Sequence, residues 1–269
     1  MTRLRPWTVA RGHPVAVGVV AGVIAVQAIW MVEAACPRMT IMQCLVAATG
    51  LVAGASALGV AVRASWLAVI TTRALAAVPR SPISPALQAS ADRAGITRMR
   101  CLTGTDRTAF CAGLLRPYVY VTTATSTSKL DPHELDAILA HEGAHARRRD
   151  PLRRLLTRAA ADVMFWFPLL RWWLRRHVEN AEVYADKAAI NHAGRAALAA
   201  ALLAAADQPP IPVPAMAGAT QARIAHLLGE ELPLQRPPAG LLALSVLGAI
   251  GAVWLVMCLG QGALTAIGI

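Results

Sequence analysis

Three charge-free apolar stretches constrain this chain more than anything else in it: Pro14 to Val32, Ile41 to Val62, and Ala239 to the C-terminus. Each is long enough for the roughly 20 residues that a spanning helix needs. In lipid every backbone amide must be satisfied within its own segment, so such stretches are expected to be helices. Composition agrees: 56% of residues are hydrophobic, 15% are charged and the mean hydropathy is +0.49, far from the averages of soluble proteins. The expected class is a mainly α membrane protein with three transmembrane helices. The first stretch is too long for a cleavable signal and is followed directly by the second.

The net charge of +11 falls mostly between Arg63 and Arg236. Together with Arg3, Arg5 and Arg11 ahead of the first stretch, this excess puts the N-terminus and the central segment on the cytoplasmic side of a bacterial inner membrane by the positive-inside rule. Attraction to anionic lipid headgroups accounts for the basic balance. The chain has no DNA- or RNA-binding motif, so no direct nucleic-acid binding is expected. Its five cysteines are too scattered for a disulfide framework or a cysteine-based metal site. Cys101 and Cys111 fall where two neighbouring strands are expected, as free thiols in a reducing compartment; Cys36 and Cys44 flank the short external loop.

The organisation predicted is residues 1–80 as an N-terminal membrane domain with two spans, 81–235 as a cytoplasmic domain, and 236–269 as a C-terminal span. The second span carries Ala47, Ala48, Gly50, Gly54, Ala55 and Gly59, small residues that let helices approach closely in lipid. It either ends near Val62 or continues as an interfacial helix towards Arg80. Ser81-Pro82-Ile83-Ser84-Pro85 breaks the chain. A short helix from Ala86 to Ala94 and strands at Met99–Thr103, Thr108–Ala112 and Tyr118–Thr122 follow. A strand edge beside a catalytic site can hold an extended peptide through its backbone.

The chemistry sits in His141-Glu142-Gly143-Ala144-His145. On a helix, residues four apart share a face, so the two imidazoles can grip one Zn²⁺ while Glu142 faces the water to be activated. Chance would give HExxH in roughly one chain in a hundred of this length, and the surroundings make chance a poorer account. Asp131 can cap a helix, Pro132 suits its first position and Glu134 completes a capping box. Leu135, Ile138, Leu139 and Ala140 then give an apolar stripe. Gly143 is out of place in a helix interior, where it costs about 1 kcal/mol relative to Ala, and suggests that another element comes close.

Beyond the motif, a basic amphipathic helix is predicted from Leu152 onward. Val163 to Leu174, with Trp166, Trp172 and Trp173, reads as an interfacial or half-inserted element, the alternative being a fourth membrane crossing. Arg175 to Ile190 returns to helix. Catalytic zinc takes three protein ligands, and Glu182 is the best third candidate. Asp186, one turn later, can orient a ligand histidine. The alternative is that these carboxylates pair with Arg175, Arg176 or Lys187. His177, His192 and Tyr184 are candidates for steadying an oxyanion. Ser126-Thr127-Ser128-Lys129 matches a serine-hydrolase SxxK pattern without its partner motifs. Gln208 to Pro214 is a proline-rich connector, followed by a helix near Thr220 to Leu228.

Taken together, these motifs resemble the integral-membrane zinc peptidases of the BlaR/MecR type, over roughly Gly95 to Ile190. Gly113-Leu114-Leu115-Arg116-Pro117 resembles the family's turn before a strand. Leu130 to Asp150 resembles its HExxH stretch followed by basic residues and Asp, and Phe165 to Leu174 its aromatic stretch with proline and paired tryptophans. Glu182-Val183-Tyr184-Ala185-Asp186 matches its ExxxD, which HtpX-type peptidases share. The resemblance implies an α+β zincin-like domain carrying a small β-sheet, with His141, His145 and Glu182 binding zinc, Glu142 as general base and Asp186 behind the ligands. It also implies a cytoplasmic protein substrate, in the best-known cases a DNA-binding repressor. No counterpart of the family's extracellular penicillin-binding sensor follows the last span, so direct β-lactam sensing is not expected. The function expected is a membrane-embedded zinc endopeptidase; the alternatives are HtpX-like membrane protein quality control and a non-catalytic zinc-containing scaffold.

Overall fold

The computed structural model describes residues 40–105, 108–127, 130–206, 223 and 236–267. Ile41–Ala77 is one unbroken helix, α1, which ends just before Pro79. The stretch from Ile41 to Arg73 contains no proline, so nothing stops the helix at Arg63, and the span and its extension are continuous. Among the described residues two helices are long and apolar enough to cross a membrane, Met42–Ala77 and Ala239–Cys258. The first predicted span, Pro14 to Val32, and Cys36 lie outside the described residues.

The remaining elements are β1 (Arg80–Ser81), α2 (Pro85–Arg93), β2 (Met99–Leu102), β3 (Ala109–Ala112), β4 (Tyr118–Thr122), α3 (Thr123–Thr127), α4 (Pro132–Arg148), α5 (Asp150–Val163), α6 (Leu169–Ala193), α7 (Arg195–Ala206) and α8 (Ala239–Ile267). The molecule is mostly helical with a small mixed sheet. It divides into two compact units. One holds the described part of Met1–Leu67 with Leu156–Trp172 and Arg236–Ile269; the other holds Ala68–Leu155 and Trp173–Gln235.

In the first unit Arg63 donates through Nε and Nη2 to Asp162 Oδ2, at 3.1 and 2.9 Å. A Cβ on Gly59 would come within 2.9 Å of Val163 Cγ1, so α1 approaches α5 where the small-residue stripe predicted close packing. The aromatic stretch from Val163 to Leu174 is not one continuous element. It is the end of α5, a turn held by Phe167 N donating to Met164 O, and the start of α6, with Leu169 N bonding Ser245 Oγ at 3.0 Å. Pro168 interrupts the helix there.

The second unit is built on the sheet, in the order β1-β2-β4-β3. β2 runs parallel to β4, whereas β1 and β3 pair antiparallel to their neighbours. β4 therefore lies between β2 and β3, so Cys101 and Cys111 do not face each other on neighbouring strands: they sit opposite Val121 and Val119 of the intervening strand. Alternation decides the faces. Val119 and Val121 are fully buried with Leu87, Ala91, Cys101 and Leu139, joining α2 and α4 to one side of the sheet. Tyr120, Leu102 and Ala112 pack against Leu75 and Val78 on the other. Burying Leu87, Val119, Val121 and Leu139 contributes about 1.5–3 kcal/mol each. Ala137 and Ala140 of α4 meet Ala189 and Leu198 in a second core of mostly small residues.

Candidate metal centre

Helix α4 begins as its sequence demands. Asp131 Oδ1 accepts from His133 N at 2.8 Å, Asp131 N donates to Glu134 Oε2 at 3.2 Å, and Pro132 occupies the first turn. The helix turns His141 and His145 inward, both buried. Gly143 lies between them because a Cβ there would meet Ile96 Cγ1 and Arg147 Nη1 at 3.3 Å; the loop after α2 is the element that comes close. Facing the pair, α6 buries Glu182 and Asp186 among Ala181, Val183, Ala185 and Ala189.

One ligand atom from each of His141, His145 and Glu182 lies within 4.8 Å of the other two. His141 Nε2 is 3.2 Å from His145 Nε2; Glu182 Oε2 is 3.4 Å from the former and Oε1 3.5 Å from the latter. The outer nitrogens face carboxylates: His141 Nδ1 is 2.9 Å from Asp186 Oδ1, and His145 Nδ1 is 2.8 Å from Asp150 Oδ2. A neutral imidazole has one proton. If each ring gives it to its carboxylate, two bare lone pairs face each other across 3.2 Å, and a positive charge between them, a metal ion or a further proton on one ring, removes the repulsion. Donor atoms about 2.0–2.2 Å from a tetrahedral zinc stand roughly 3.3–3.5 Å apart, which the three separations match. The residues present fit the metal.

The charges around the site follow from the same contacts. Burial pushes the Glu182 carboxyl up, but His141, Arg154 and His145 outweigh it and hold it well below the usual range. Asp186 is likewise lowered, because His141 and Arg223 outweigh burial. Glu142 behaves oppositely: burial raises it, helped by the Glu182 charge, against the pull of both histidines and Arg154. A base with a raised pKa is better matched to neutral pH than an ordinary carboxylate.

Three residues of the centre have no named role in the sequence reading. Asp150 is fully buried at the first turn of α5. Arg154, four residues on, donates to Glu182 Oε1 at 2.6 Å. Arg223 grips both oxygens of Asp186 at 2.9 and 2.8 Å and reaches Glu182 Oε2 at 3.4 Å. Glu182 and Asp186 pair with arginines, though not with Arg175, Arg176 or Lys187; Arg176 bonds Glu179 instead. Of the other candidates, Tyr184 is exposed under the Arg148 guanidinium, and His177 stacks on Trp173. The charge of His192 acts on Asp136. Ser126 of the SxxK run donates to Thr123 O; Lys129 is outside the described residues.

β3 is an edge strand of the sheet. Burial pushes the Cys111 thiol up to about 12, and the Glu142 charge adds to it, so this edge lies beside the motif. Around it opens a cavity of about 330 Å³ lined by Thr71, Thr72, Arg100, Cys111 and Tyr120 among others.

Residues 19–230 match the family described as BlaR1 peptidase M56. The chain belongs to this family. No curated protein matches it. M56 membership makes the chain one of a class of membrane-associated, metal-dependent peptidases, and the buried His141, His145 and Glu182 cluster is a donor set of the kind such a class requires.

Proposed function

We propose that this M56 member is a zinc endopeptidase of the bacterial inner membrane. His141, His145 and Glu182 are the ligands, Glu142 is the general base, and Asp186 and Asp150 orient the two imidazoles. The observation that carries the reading is the 3.2 Å approach of two buried Nε2 atoms beside a carboxylate held ionised. Bound zinc supplies a Lewis acid that polarises a carbonyl and brings the pKa of a water to around 7. Glu142 takes the water's proton and later delivers it to the leaving amine. The rings are kept in one tautomer by carboxylates at Nδ1.

The substrate is a cytoplasmic or membrane-proximal protein, taken as an extended segment along the β3 edge; a DNA-binding repressor in a signalling pathway is the first candidate. The domain of residues 81–235 is a zincin-like unit facing the cytoplasm, with spans on either side making a total of three. Support comes from the family, from the excess of arginine between Arg63 and Arg236 and from the two apolar helices. The test compares the proteomes of cells expressing the native chain and Glu142→Gln. One fragment lost in the variant supports cleavage of a regulator. Many fragments lost point to HtpX-like quality control, and retained zinc with no lost fragment points to a scaffold.

A further inference from the structure

Asp150 holds His145 with one oxygen only. Its Oδ2 lies 2.8 Å from the ring's Nδ1, while Oδ1 is buried and makes no hydrogen bond among the described residues. Arg148 Nε at 3.7 Å and Arg153 Nη1 at 4.0 Å are ion-pair neighbours of Oδ1, too distant to bond it. Buried polar atoms are as a rule hydrogen-bonded, because a bare one loses its hydration with nothing in return.

A second such atom belongs to the same neighbourhood. His177 Nε2, on α6, is also buried and without a hydrogen bond among the described residues. Its ring stacks on Trp173, one helical turn earlier, with centroids 5.7 Å apart and planes 23° apart, so packing sets the direction in which Nε2 points. Asp150 is the strongest charge acting on this ring, and Arg148 and Arg153, the two cations beside Asp150 Oδ1, act on it as well, together with Arg154. Burial and the three arginines outweigh Asp150 and hold the ring below the usual histidine value. At neutral pH the ring is therefore uncharged and carries one proton.

Resting on the peptidase reading above, we infer that His177 is a positioning residue for the metal centre: its Nε2–H donates to a buried water, and that water donates to Asp150 Oδ1. Water between two buried polar groups that do not meet directly is how proteins commonly satisfy them. The chain of bonds then runs from His177 through Asp150 to His145. A carboxylate held through one oxygen can swing about that contact; held through both it cannot. His145 Nε2 thus stays aimed at His141 Nε2 and Glu182 Oε1, 3.2 and 3.5 Å away. His177 acts only through Asp150, as the outer partners of ligand histidines do.

The test uses the full chain in nanodiscs, with Zn²⁺ affinity read by competition against a chelator. Native protein is compared with His177→Phe, His177→Gln, Asp150→Ala and the double variant Asp150→Ala/His177→Phe. Phenylalanine keeps the stack on Trp173 and removes the donor, whereas glutamine carries an amide N–H at the position of the ring's Nε2. The expected result is zinc affinity about tenfold weaker in His177→Phe, within about twofold of native in His177→Gln, and not reduced further when His177→Phe is added to Asp150→Ala. Native affinity in His177→Phe overturns the inference. An equal loss in the Phe and Gln variants, or a loss that adds in full to that of Asp150→Ala, makes His177 a packing residue and overturns it too. Nitrogen NMR of the histidine-labelled, metal-free protein gives a readout that does not depend on zinc: the His177 Nε2 proton should be visible and should exchange with solvent faster in Asp150→Ala. A native protein that binds no zinc overturns the peptidase reading, and the exchange measurement then decides the link between His177 and Asp150 by itself: exchange unchanged in Asp150→Ala overturns it.

Discussion

His145 Nδ1 lies 2.8 Å from Asp150 Oδ2, and both groups are buried on opposite sides of the break between α4 and α5. The carboxylate fixes the ring so that Nε2 turns towards His141 and Glu182. Removing such a partner from a ligand histidine typically costs 10–100-fold in metal affinity. Asp150→Asn is therefore expected to weaken zinc binding by about that factor while far-UV circular dichroism stays unchanged. Competition against a chelator of known affinity reads it, and an affinity equal to the native protein's would remove Asp150 from the centre.

A second expectation concerns pH. Burial opposes charge on His141, but Asp186, Glu182 and Glu142 outweigh it and lift its pKa to about 9 in the metal-free protein. The proton then occupies the place the metal needs. Apparent metal affinity should rise about tenfold per pH unit between pH 6.5 and 8.5, with one proton released per metal bound. The sign for stability is opposite. A folded value above the usual histidine value contributes stability that is complete below about 6.5 and is lost as pH rises through about 9. Thermal midpoints of the metal-free protein should fall across that window, and a flat affinity profile would contradict the assignment.

Acid behaviour turns on another pair. Arg93 donates to both oxygens of Asp136, at 2.9 and 2.8 Å. Burial pushes Asp136 up, yet Arg93, Ser90 and the charge of His192 bring the net below its ordinary value. The stability this provides is present above the pKa of the unfolded carboxyl and disappears as pH falls through the lower, folded one. Denaturant midpoints at pH 7 and pH 3 should therefore differ less in Asp136→Asn than in the native chain.

What could be read from the sequence was whatever a short period encodes. His141 and His145, and Glu182 and Asp186, are each four apart, and the helix period alone puts each pair on one face. Asp131-Pro132-His133-Glu134 fixes a helix start from local bonds, and the alternation of Tyr118 to Thr122 marks the strand that became the sheet's interior. Partners chosen by tertiary packing left no such trace. Arg80–Ser81 pairs with β2 although it borders a proline-rich break. The insertion of β4 between β2 and β3 is a matter of topology, so the two cysteines looked adjacent and are not. Arg223 reaches Asp186 from 37 residues away, beyond a proline-rich connector, where no periodicity can connect them.

Arg149 ties the local backbone to the chemistry. It is the one non-glycine among the described residues with positive φ, at 55°, and it ends α4 in the left-handed region while donating its N–H to Ala146 O at 3.1 Å. That conformation costs an L-residue about 1–2 kcal/mol, and glycine adopts it freely. It is kept because the turn it makes starts α5 at Asp150, within reach of His145. Arg149→Gly should therefore leave metal affinity intact and stability equal or higher by up to about 1 kcal/mol. Arg149→Val, β-branched and ill-suited to this region, should lower stability by about 1–2 kcal/mol and weaken metal binding in the same direction as Asp150→Asn. Metal affinity preserved in Arg149→Val, despite the loss of stability, would show that the turn does not set the position of Asp150.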